Sequence, residues 1–182
     1  MEGRRMIMMD LQTVTRLLNL DGFEVVEAVA DAKGKTHRLA VTPTTTAGLC
    51  PHCGRPTTER HGCYDRQVVD LPLGGWKTEL AVRGFQFRCP HCDKFFTPRQ
   101  AALAEGAHAT ERFLERLAEL ATRAEVSTAA RFLGVAEKTA ENWYYDYLER
   151  RRKEPAKDLQ PIRSLGIDEL SLKKDTASSS AC

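Results

Sequence analysis

Apolar residues at 11, 14, 17 and 18 recur at helical spacing, and the turn formers Asn19, Asp21 and Gly22 follow at once. Residues 11–18 are therefore expected to form a short amphipathic helix. The period then shortens. Residues 23–31 and 37–44, joined by AKGK, read as two strands of a hairpin, and residues 42–48, TPTTTAG, read as a loop. Residues 62–73 and 76–88 flank Gly74 and Gly75 and predict a second, longer hairpin. In its second strand Leu80 and Val82 share one parity while Phe85, Phe87 and Cys89 share the other. A bulge at Gly84, where the phase changes, would account for the switch.

Beyond residue 110 the pattern becomes helical. Thr110 is suited to cap a helix whose Phe113, Leu114, Leu117, Leu120 and Ala121 form one apolar stripe, with Glu111 favouring its N-terminus. Ser127 is expected to cap a short helix, residues 127–133, that stops at Gly134. A third helix, residues 137–151, is expected to bury Ala140, Trp143, Tyr144, Tyr147 and Leu148 on one face. Prolines and charges mark a linker at 153–161, a strand-like run begins at 162, and DTASSSAC carries no fold signal. The expected class is α+β, in small modules: helix and hairpin over 1–43, a cysteine-bearing ribbon over 44–100, three helices over 101–152, the linker, and a final piece over 162–182.

Composition narrows the setting. With 42% hydrophobic and 29% charged residues in 182, the chain has a globular balance, and nowhere is there an apolar run of the roughly 18 residues a membrane helix needs. The first twenty residues lack the apolar core and cleavage site of a signal peptide, so a cytoplasmic, reducing location is expected, where paired cysteines hold metal more often than they form disulfides. Net charge is only +2, yet residues 50–100 carry eight Lys/Arg against five Asp/Glu, and RRRK stands at 150–153.

Four of the six cysteines form two identical CPHC motifs separated by 35 residues. Each C-x-x-C presents two sulfurs from a tight turn, and the intervening hairpin brings the turns together, so Cys50, Cys53, Cys89 and Cys92 are expected to hold one structural Zn²⁺ in a closed tetrahedral site. A redox dithiol would need a strand-to-helix setting and would not be duplicated. His52 and His91, inside the motifs, are read as groups outside the metal. His61 and Cys63 are alternative ligands, but four sulfurs already satisfy zinc, and Cys63 is expected to be a small buried residue of the hairpin. A ribbon of about fifty residues has little core of its own, which the metal offsets.

Residues 125–148 have the layout of a helix-turn-helix: small residues at 129 and 130 for close packing, a glycine turn at 134, Val135 as a plug, then a longer helix. A three-helix bundle that binds nothing has the same pattern. If the unit binds DNA, the face opposite the apolar stripe meets the major groove, and it carries Lys138, Asn142, Tyr145 and Glu149 with Thr139 and Glu141 on its flanks. Asn142 suits adenine and Lys138 suits guanine or phosphate, while Glu137, Glu141 and Glu149 repel phosphate.

The order of parts, CPHCG, RHGCYDRQVVDLPLGG, FRCPHCDKFFTPR, the helical unit and SLGIDELSLKK, resembles the N-terminal part of bacterial insertion-sequence transposases of the ISL-three family, a group of DDE-type enzymes, over residues 11–174. The resemblance implies that ribbon and helix-turn-helix recognise double-stranded DNA at the terminal inverted repeats of a mobile element, and that a ribonuclease H-like domain begins near residue 162. It also implies that Asp168 is the first catalytic carboxylate, and that homo-oligomers or a full-length transposase are partners. Fourteen residues follow Asp168. One carboxylate cannot hold the two Mg²⁺ ions, about 4 Å apart, that such chemistry uses, so Mg²⁺ and activity are expected only of a full-length relative. Competing expectations are a zinc-ribbon adaptor that binds protein instead of DNA, and an enzyme completed when translation shifts frame beyond codon 182.

Overall fold

A computed structural model describes residues 10–153. Helix α1, Leu11–Leu18, starts at Asp10, whose carboxylate accepts from the Gln12 N–H, and ends at Asn19, which takes the left-handed conformation with φ 46°. Only Val14 and Leu18 of its apolar positions are buried. Leu11 and Leu17, expected in the same stripe, face solvent, because an eight-residue helix rests on the sheet along a single line.

Strands β1, Phe23–Asp31, and β2, Thr36–Pro43, pair antiparallel as expected, with Val26 bulged outward between Val25 and Glu27. After the two-residue strands β3, Gly48–Leu49, and β4, Pro56–Thr57, come the long β5, Arg60–Leu73, and β6, Trp76–Arg88, with β7, Phe95–Phe96, returning onto the end of β6. The sheet order is β1-β2-β6-β5, in which β2 and β6 run parallel from Thr36 opposite Lys77 to Val41 opposite Val82. One sheet thus runs through the boundary expected between residues 43 and 44. Its core is built from Leu39, Val41, Val68, Leu80 and Val82 together with Val14, Leu18, Phe23 and Val25.

No bulge occurs at Gly84, which pairs regularly with Tyr64. The irregularity lies on the facing strand: Arg60 opposes Phe87 and Gly62 opposes Gln86, leaving His61 as the extra residue. This is where β6 changes partners, from the main core at Leu80 and Val82 to a separate small core of Cys50, Phe87, Cys89 and Phe96. Cys63 is exposed rather than buried, since the two hairpin strands turn its position outward before that second core begins.

Helices α2, Glu111–Arg123, α3, Val126–Leu133, and α4, Glu137–Lys153, pack around Phe113, Leu114, Leu117, Ala129, Ala130, Leu133 and Ala140. Thr110 caps α2 as expected, accepting from the Phe113 N–H at 3.3 Å. Ser127 does not cap α3. The helix starts one residue earlier with Glu125 at the cap position, and the Ser127 hydroxyl donates to the Glu125 carboxylate at 3.3 Å. Gly134 ends α3 at φ 72°, in the left-handed region that glycine enters freely. On α4, Ala140 is buried and Trp143, Tyr144 and Tyr147 are half-buried, but Leu148 is exposed, because the core of the unit ends before that turn.

Residues 107–110 bind this unit to the sheet. The Val69 N–H donates to the His108 carbonyl at 2.9 Å and the Thr110 N–H to the Val69 carbonyl at 3.0 Å, so the outer edge of β5 is covered in parallel register. The strand-like run from residue 162, Asp168 and the tail lie outside the described residues. Among the described residues no helix is long and apolar enough to cross a membrane.

Candidate metal centre and nucleic-acid interface

Each CPHC motif folds into the same knuckle. In the first, the Gly54 N–H donates to the Cys50 carbonyl and the Cys50 N–H to the Arg55 carbonyl, both at 2.9 Å. In the second, the Asp93 N–H donates to the Cys89 carbonyl at 2.8 Å and the Cys89 N–H to the Lys94 carbonyl at 2.9 Å. The fifth residue of each knuckle is left-handed, Gly54 at φ 69° and Asp93 at φ 55°. Aspartate tolerates that conformation better than most side chains, and here its carboxylate is held by Arg88 Nε at 2.8 Å and Nη2 at 2.7 Å.

The two turns bring all four sulfurs within 4.8 Å of one another. Cys50 Sγ lies 3.7 Å from Cys92 Sγ, and Cys53 Sγ lies 3.5 Å from Cys89 Sγ. A tetrahedral zinc with Zn–S bonds of about 2.3 Å places its sulfurs about 3.8 Å apart, so the cluster fits the ion closely. The donor chemistry agrees: four soft sulfurs and no open position make a structural site. Burial acts to raise the Cys89 thiol, but the backbone N–H groups of Cys92 and His91 and the neighbouring thiols outweigh it, and the net result is a fall to about 7. Cys92 is pushed up to about 12, by burial first and then by Cys50. Crowded thiols of this kind do not all ionise without a cation among them.

Groups around the cluster lock the knuckles together. Arg55 Nη1 donates to His91 Nδ1 at 3.0 Å, which accounts for His91 as a link between knuckles instead of a ligand. The Thr57 hydroxyl donates to the Arg88 carbonyl at 3.0 Å. His52 is exposed, and His61 packs its ring on Phe95 at 4.3 Å, so neither enters the cluster.

On α4 the residues singled out from sequence lie as follows. Lys138, Asn142, Tyr145 and Glu149 are exposed, Thr139 and Glu141 are half-buried, and the packed residues Ala140, Trp143 and Tyr144 lie on the other side. Lys138 donates to Glu141 at 3.1 Å, and the Tyr145 ring leans on Tyr144 at 5.4 Å. The metal cluster belongs to the β5–β6 end of the sheet and this face to the helical unit.

One polar cluster was not legible in the sequence. Asp70, with its side chain 1% exposed, accepts from Thr110 Oγ1 at 2.7 Å and from Arg112 Nε at 2.8 Å, and makes a second, closer contact with Arg112 Nη2. Arg112 also donates to the carbonyls of Leu18 at 2.8 Å and Asn19 at 2.6 Å, the C-terminal end of α1. The only signal is an acid at an inward position of a strand, and its partner lies 42 residues away.

Comparison with known proteins agrees with the cysteine geometry. Residues 46–92 match the family described as the zinc-finger of transposase IS204/IS1001/IS1096/IS1165. Over 153 residues, 84% of this chain, the sequence is 29% identical to the "Transposase for insertion sequence element IS1001" of Bordetella parapertussis. The chain spans 37% of that relative's length. No solved structure matches.

Proposed function

We propose that the chain is a member of the ISL3 family of transposases and that residues 10–153 bind double-stranded DNA at the terminal inverted repeats of an insertion sequence. The observation that carries this reading is the two-sided character of α4. Its apolar side is packed against α2 and α3 across the Gly134 turn, which leaves Lys138, Asn142 and Tyr145 exposed on the solvent side, where they can meet a major groove. Asn142 is the residue suited to bidentate adenine readout, and Lys138 and Tyr145 suit guanine or backbone contacts. The zinc ribbon holds the far end of the β5–β6 hairpin rigid. We assign recognition, not strand transfer, to these residues, and Asp168 as a first catalytic carboxylate, with Mg²⁺ as its cofactor, belongs to the same reading of a longer relative.

The test is a fluorescence-anisotropy titration of the zinc-loaded chain against the ends flanking its own gene and against a shuffled duplex. A preference of about a thousandfold for the ends is expected, and Asn142→Ala should lower affinity for the ends by about 10- to 100-fold, the worth of a bidentate base contact. Equal binding of both duplexes would leave only a nonspecific basic module. Absence of any DNA binding would replace the reading with that of a protein-binding zinc-ribbon adaptor.

A further inference from the structure

The turn between β1 and β2 places two lysines, Lys33 and Lys35, at the end of the sheet that meets the helical unit. The Lys77 N–H donates to the Lys35 carbonyl at 3.0 Å, and Thr36 pairs with Lys77 in the parallel register. Lys77 in turn lies along the turn that precedes α4, since a Cβ built on Gly134 would sit 4.0 Å from its Cγ. The lysine-bearing turn, the start of β6 and the entry to α4 are thus neighbours, and Lys138 stands in the first turn of that helix.

The charges at this end are unevenly matched. Glu79 pairs with Lys77 at 2.9 Å and with Arg38 at 3.3 Å, Asp31 lies 3.8 Å from Arg38, and Glu141 holds Lys138 at 3.1 Å. Lys33 and Lys35 are exposed and form no ion pair among the described residues. The start of α4 carries the exposed acid Glu137, which repels a phosphate there, so the cations at this end that are outside ion pairs among the described residues come from the turn, Lys33 with the Asp31 carboxylate near it.

The turn is also held in place. The Asp31 carboxylate accepts from the Lys33 and Gly34 N–H groups, both at 3.1 Å, and the Thr36 hydroxyl donates to the Gly34 carbonyl at 2.9 Å. Behind it the rings of His37 and Trp76 stack at 5.1 Å and tie β2 to β6. With the backbone of the turn held in this way, the lysine side chains are what remains to be ordered on meeting a polyanion.

We propose that the β1–β2 turn is a second DNA contact, in which Lys33 and Lys35 hold the phosphate backbone beside the groove that α4 enters. It rests on the DNA-binding reading above and adds to it a sequence-independent contact from outside the helical unit. Each phosphate neutralised by a cation contributes about 0.9 to the slope of log affinity against log salt.

The experiment measures that slope for the zinc-loaded full chain, for Lys33→Gln/Lys35→Gln, and for Lys33→Arg/Lys35→Arg, on both the element ends and a shuffled duplex, with zinc content and circular dichroism as checks of folding. The Gln pair should bind both duplexes more weakly by the same factor, with the slope reduced by about 1.8, and the Arg pair should restore it. Asn142→Ala should do the reverse, losing the preference and keeping the slope. An unchanged slope in the Gln pair, with end preference intact, would overturn this contact and leave the reading of α4 standing. A reduced slope without end preference would keep the contact and sink the end recognition, and no DNA binding by the parent chain would overturn both.

Discussion

At position 84 the strand has no space for a side chain. A Cβ built on Gly84 would come within 2.2 Å of Tyr64 Cζ, because the tyrosine of the facing strand lays its ring across the glycine. Glycine inside a strand usually weakens it, so replacement by alanine would ordinarily help. Here the sign reverses. Gly84→Ala is expected to cost about 1–3 kcal/mol through overpacking, and in a Tyr64→Ala background most of that cost should disappear. A double-mutant cycle by urea unfolding with zinc present checks this, and a coupling near zero would mean the ring moves aside freely. The same position shows how a single residue misleads a reading of the chain: the phase change beside Gly84 is real, but it marks where β6 passes from the main core to the ribbon core, and the register irregularity nearby is at His61 on the other strand.

The two knuckles were fully legible beforehand, since C-x-x-C turns depend on residues within five positions and their hydrogen bonds close locally. Their energetics are not local. Beyond two cysteines, only Phe87 and Phe96 complete the buried core of the ribbon, too little apolar surface to keep residues 48–62 and 85–96 folded without metal. A strong chelator is expected to unfold this end while Trp143, packed edge-on against Phe113 at 6.1 Å in a core that shares no residue with the ribbon, keeps its emission. One equivalent of zinc per chain should be released, measured with a colorimetric indicator, and Cys53→Ser should lower that occupancy. Parallel loss of the tryptophan signal would show that the metal supports the entire fold. Because burial and the neighbouring Cys50 thiol push the Cys92 thiol up, zinc must displace its proton at neutral pH, so affinity should rise with pH and binding should release protons. Calorimetry in buffers of different ionisation enthalpy measures the number. The helices follow the same division: capping by Thr110 and termination at Gly134 were readable, whereas the start of α3 moved by one residue because Glu125, not Ser127, stands at the turn.

How the sheet and the helices hold one another rests on a buried ion pair. Arg112 joins β5 through Asp70 and α1 through two carbonyls, and Asp70 holds the guanidinium well in its charged form. Arg112→Ala leaves a carboxylate buried with only the Thr110 hydroxyl, and removal of one partner from a buried pair costs about 3–5 kcal/mol. Urea unfolding should show that loss, and replacing both partners by apolar residues, Asp70→Leu/Arg112→Met, should recover much of it. A loss below about 1 kcal/mol would mean that solvent reaches Asp70. What this chain's residues specify on their own is whatever is settled within a few positions: two hairpins, two cysteine knuckles, four helices, the Thr110 cap of α2, the Gly134 stop of α3 and the outward face of α4. Periodicity, turn chemistry and metal-ligand spacing all act at that range. The parallel join of β2 to β6, the covering of β5 by residues 107–110, the outward turn of Cys63, the Asp70–Arg112 clamp and the meeting of Lys77 with Gly134 were decided only in the assembled fold. Each depends on which faces meet across tens of residues, and that choice is made by burying several amphipathic surfaces at once, a condition no single stretch of sequence contains.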